Sequence, residues 1–147
     1  MPRKPATSWP ARLLFWSSLG LALTGMGQMP IFARYYIADI PGLGWLGNFR
    51  ATAELHLALG SVFLFALGFA AVAWIVSGTR QNVVARLRAG LLLAVALTGL
   101  VRVLQNGLLP LFAPLSVRYL DWTHLGLAVA LGLAFLLPKG KRAMAEE

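Results

Sequence analysis

The chain has no cysteine, only two histidines and only five acidic residues in 147. The missing thiols exclude disulfides, thiolate-held iron–sulfur clusters, covalently attached c-type haem and a cysteine nucleophile. Charge of either sign is scarce: 12% of residues are Asp, Glu, Lys or Arg, where a soluble domain carries about 25%. What fills the chain instead is apolar, 59% of residues, with a mean hydropathy of +0.72. The net charge of +8 does not read as a nucleic-acid footprint, because the basic residues stand scattered at the ends of apolar runs. No nucleic-acid partner is expected. These proportions describe a small integral membrane protein.

The charge gaps mark the spans. Nothing is charged between Arg12 and Arg34 or between Glu54 and Arg80, and each gap exceeds the ~20 residues that cross ~30 Å of hydrocarbon. A third run, from Leu87 to Leu109, carries Arg88 at its start and is broken within by Arg102, and a fourth runs from Tyr119 to Pro138. The absence of period-2 alternation excludes a barrel. The reading is one transmembrane domain over 1–147, an all-α four-helix bundle with helices at about 12–34, 52–77, 87–109 and 119–138. The first run is too long for a signal-peptide core and lacks a clean A-x-A site, so it is expected to be retained.

Lys and Arg set the expected orientation. Nine lie before helix 1, between helices 2 and 3, or after helix 4, against Arg34, Arg50 and Arg118 on the other side. Both termini are therefore expected in the cytoplasm. Trp9 and Trp74 would mark the inner interface, and Tyr35, Tyr36, Trp45, Tyr119 and Trp122 the outer one. The turn-rich segment from Ile40 to Phe49 would lie at that outer interface, docking a partner or covering the top of the bundle.

The chain also repeats itself. Leu-Thr-Gly at 23–25, Pro-Ile-Phe-Ala at 30–33 and His56-Leu-Ala-Leu recur in the same order. Their counterparts are Leu-Thr-Gly at 97–99, Pro-Leu-Phe-Ala at 110–113 and His124-Leu-Gly-Leu. Three matches in order indicate two tandem two-helix repeats. Duplication without inversion implies a pseudo-twofold axis along the membrane normal, with helices 2 and 4 running in the same direction.

Both histidines are matched residues of the repeat. His56 and His124 fall near the outer ends of helices 2 and 4, roughly 5–8 Å below them at 1.5 Å per residue. A neutral imidazole is a strong axial ligand to iron, and two facing one another across a bundle can hold a b-type haem. Four residues further on, Gly60 and Ala128 are small enough to leave room for a porphyrin. Two histidines allow one bis-histidine haem and no more. Zinc would ask for further ligands, for which only Glu54 and Asp121 stand near that depth.

Arg34, Arg50, Arg118 and Arg102 are candidate partners for haem propionates, since guanidinium binds carboxylate bidentately. The alternative for the first three is lipid headgroups. Glu54, Asp121 and Asp39 are candidate proton handlers for quinone chemistry. Gln28, Gln105 and Asn106 are candidate hydrogen-bonding partners of a quinone carbonyl, or of backbone near the helix ends.

Four helices, Leu-Thr-Gly in the odd-numbered ones and histidines at the outer ends of helices 2 and 4 resemble membrane cytochrome b subunits. The nearest class is the four-helix type of formate dehydrogenase and hydrogenase membrane subunits. Those relatives commonly ligate two haems, one near each face, whereas this chain has histidines for one. The resemblance implies an electron-transfer subunit in a bacterial inner membrane, passing electrons between quinone and a periplasmic redox subunit that holds haem or iron–sulfur clusters. Other membrane subunits would complete such a complex. The competing readings are a cofactor-free anchor of a complex and a pigment-binding membrane protein.

Overall fold

The computed structural model describes residues 9–29, 39–78, 82–107 and 112–138. Among these the secondary structure is all helical: α1 (Trp9–Gly27), a 3₁₀ turn (Gly44–Gly47), α2 (Phe49–Ser77), α3 (Val83–Gly107) and α4 (Pro114–Leu136). α2, α3 and α4 are each long and apolar enough to cross a membrane. α1 has 19 residues, Arg12 and the Ser17–Ser18 pair among them, and is not one of these three. The surfaces of these helices are what hydrocarbon requires: Ile75, Val76 and Leu136 are 72%, 81% and 80% exposed, an arrangement that water would penalise.

The helix ends differ from the limits of the charge gaps, because caps rather than charges set them. Asn48 starts α2 at Phe49, its Oδ1 accepting the Ala51 N–H at 3.1 Å. Asn82 does the same for α3, accepting the Ala85 N–H at 2.8 Å. α4 begins at Pro114, a residue suited to the first turn because no N–H is needed there. α1 stops at Gly27 rather than near 34, its last turn tightened by Gln28 N–H donating to the Gly25 carbonyl and Met29 N–H to Met26. Arg34, Tyr35 and Tyr36 lie outside the described residues. Gly78, at φ 59°, takes the left-handed conformation that terminates α2. Pro138 disfavours a helical Leu137, which is extended at φ −63° and ψ 141° and ends α4.

The chain divides into two compact units, 1–78 and 79–147, and the division falls between the two repeats. Each unit is a helical hairpin. In the first, α1 packs on α2 over small residues, Gly20 lying under Leu59; close approach of this kind supplies the contact that apolar solvent cannot drive. Phe63 and Ala66 are buried beneath it. In the second hairpin, of α3 and α4, Leu131 and Ala134 are buried. Phe63 and Ala66 follow His56 at the same spacing at which Leu131 and Ala134 follow His124. The repeat therefore extends into the packing.

Local devices finish each hairpin. The 3₁₀ turn folds Leu46 fully inside, against Gly27 and Thr52, where a Cβ on Gly27 would come within 3.3 Å of the Leu46 carbonyl oxygen. This segment thus covers one end of the first hairpin. At the other end Trp9 lies against Phe69, with ring centroids 4.8 Å apart and planes tilted by 49°. In the second hairpin Arg88 donates to the Ala134 and Leu137 carbonyls at 3.1 and 2.7 Å and lies over the Phe135 ring. A cation there meets the negative end of α4.

Candidate imidazole site

Each histidine is held by the Leu-Thr-Gly of its own hairpin. Thr24 Oγ1 lies 2.9 Å from His56 Nδ1, and Thr98 Oγ1 lies 2.8 Å from His124 Nδ1. The threonines are fixed in turn by their own helices: Thr24 Oγ1 donates to the Gly20 carbonyl at 2.8 Å and Thr98 Oγ1 to the Ala94 carbonyl at 2.9 Å. The glycine that follows each threonine admits the ring. A Cβ at Gly25 would stand 3.3 Å from His56 Cε1, and one at Gly99 3.2 Å from His124 Cε1. Both imidazoles are half-buried. One threonine, one glycine and one imidazole thus form the same clasp twice, in one register.

The two histidines belong to different hairpins. Because α2 and α4 begin earlier than the charge gaps imply, His56 and His124 sit deeper than expected, roughly 10 and 15 Å from the helix starts at 1.5 Å per residue. Gly60, one turn beyond His56, has nothing within 4 Å of where a Cβ would stand. Ala128, its counterpart, is exposed.

The polar residues singled out by sequence have fates of their own. Arg102 Nε meets Asp121 Oδ1 at 2.6 Å, one turn from the Gly99–His124 contact on both helices, and its Nη1 donates to Asn106 Oδ1 at 3.3 Å. Arg50 and Glu54 pair at 2.9 Å on the outside of α2, with side chains 89% and 68% exposed. Arg118 and Asp39 are exposed, and Arg34 lies outside the described residues. Gln28 turns back onto the Thr24 carbonyl at 3.4 Å. Gln105 grips the backbone of Phe112 twice, donating to its carbonyl at 3.2 Å and accepting its N–H at 3.0 Å. Of the two uses weighed for these glutamines, backbone near helix ends is the one observed. No cluster of three or more His, Cys, Asp or Glu occurs among the described residues.

Sequence reading passed over Thr24 and Thr98 as partners of the histidines, although their recurrence before the same glycine was the available signal. It also passed over the Arg102–Asp121 pair, signalled by two opposite charges in otherwise apolar neighbouring helices.

Each hairpin thus presents one imidazole oriented through Nδ1. Comparison with protein-family models, with curated proteins and with solved structures finds no match to this chain.

Proposed function

We propose that this chain is a membrane b-haem subunit, with His56 and His124 as the axial ligands of a single haem. Its role is to pass electrons between membrane quinone and a periplasmic redox partner that carries haem or iron–sulfur centres. The observation that carries the reading is the duplicated clasp, in which each histidine of the chain is oriented by a threonine and the glycine that follows it. Haem when bound supplies one-electron chemistry. The chain's own residues do the rest. Thr24 and Thr98 orient the imidazoles, while Gly60 and Ala128 keep their helix faces clear. Arg50 and Arg118 offer guanidinium groups for propionates, and Arg102 would share its own with Asp121. Glu54, Asp121 and Asp39 remain the candidates for handling protons, the first two while paired to arginine.

The chain sits, on this reading, in a bacterial inner membrane with both termini cytoplasmic and the haem toward the periplasm, as the excess of Lys and Arg directs. The purified protein should show a dithionite-reducible, low-spin b-type spectrum. Replacing either His56 or His124 by alanine should abolish the bis-histidine signature, because each supplies one axial bond. An unchanged low-spin spectrum in either variant would overturn the assignment. A pure holoprotein with no such band would leave a cofactor-free anchor, and extraction of a magnesium pigment would identify a pigment-binding protein.

A further inference from the structure

A threonine hydroxyl has one proton to give, and its destination decides the state of the histidine. Thr24 Oγ1 stands 2.8 Å from the Gly20 carbonyl and 2.9 Å from His56 Nδ1. A carbonyl oxygen only accepts, so without a proton between them two oxygens at 2.8 Å would meet lone pair to lone pair. The hydroxyl proton therefore goes to the carbonyl, and Nδ1 must donate to Oγ1. The second hairpin repeats the argument: Thr98 Oγ1 lies 2.9 Å from the Ala94 carbonyl and 2.8 Å from His124 Nδ1.

We infer that Thr24 and Thr98 are positioning residues that hold His56 and His124 as the Nδ1–H tautomer, so that Nε2 carries the lone pair for ligation. The ligating half of this inference rests on the haem reading above. Neither threonine touches a cofactor; each acts through its imidazole, as outer partners of metal-bound histidines commonly do. Gly25 and Gly99 complete the device, because a Cβ there would crowd the ring at 3.3 and 3.2 Å from Cε1.

Two measurements on the full chain test this. Nitrogen-15 NMR of histidine-labelled, haem-free protein in detergent reads the tautomer directly and requires no variant to fold. Both rings should be protonated at Nδ1; protonation at Nε2 in the wild type would overturn the inference. Haemin titration with redox potentiometry then compares Thr24→Val and Thr98→Val with Thr→Ser at the same positions. Each valine variant should bind haemin about 10–100-fold more weakly, the usual loss on removing such a partner. Its reduction potential should shift, and serine should restore both properties. Valine variants with wild-type affinity and potential would refute the positioning role while leaving the haem assignment intact. A wild type with the Nδ1–H signature that binds no haemin would uphold the tautomer and overturn the ligating half together with the haem reading.

Discussion

One threonine and the glycine beside it act on opposite sides of the same problem. The hydroxyl fixes which way an imidazole faces, and the missing side chain lets it approach. The histidines and Gly60 were legible in the sequence because they are rare or placed one turn apart on a helix face. The threonines were visible only as letters of a repeat, since a hydroxyl in a helix ordinarily bonds its own backbone, as Ser17 does to Leu13 at 2.6 Å. Gly60 yields the sharpest residue-level expectation. Among the described residues nothing beyond the helix's own backbone stands within 4 Å of a Cβ there, so a side chain at 60 should not disturb the hairpin. Alanine should stabilise α2 by roughly 0.5–1 kcal/mol through helix propensity. Leucine should keep the helix content by circular dichroism yet weaken haemin binding at least about tenfold, in keeping with the close fit of cofactor pockets. Wild-type haemin affinity in Gly60→Leu would show that this face does not meet the cofactor.

Between elements, the α3–α4 hairpin carries an ion pair for which the first hairpin has no equivalent. Arg102 and Asp121 are 38% and 44% exposed and close at 2.6 Å; the corresponding positions, Gln28 and Ala53, hold no charge. Removing one partner strands the other in an apolar hairpin. Arg102→Leu and Asp121→Leu should each lower stability by about 1 kcal/mol or more, and the double variant should recover part of the loss, with a coupling of about 0.5–1 kcal/mol. Unfolding of the four proteins in one detergent measures this cycle, and strictly additive losses would show that the pair contributes nothing of its own. The existence and order of the helices were legible because apolar runs of span length leave few alternatives. Their ends were not. Charges report where hydrocarbon stops, whereas Asn48, Asn82 and Pro114 begin helices where backbone N–H groups find an acceptor or need none.

At the scale of the molecule, the repeat seen in three short motifs turned out to be a repeat of packing, carried by Phe63 with Ala66 and by Leu131 with Ala134. The sequence displayed this poorly, because Phe63 is matched by a leucine, Leu131, and only the small Ala66 by its like, Ala134. The proposed orientation has a direct check. Reporter fusions after Glu147 and within 78–88 should report cytoplasm, and those within 38–48 periplasm; the reverse pattern would move the proposed haem to the inner face. The division of the chain at Gly78 also has a bearing on its biosynthesis. The Thr24–His56 bond joins residues 32 apart, both within the half of the chain that is synthesised first. The first imidazole can thus be seated by a nascent hairpin in the translocon, with nothing required from the C-terminal half. The 26-residue separation of Thr98 and His124 lets the second hairpin do likewise when its turn comes. On the proposed haem reading, cofactor insertion then acts on imidazoles that each hairpin has oriented by itself.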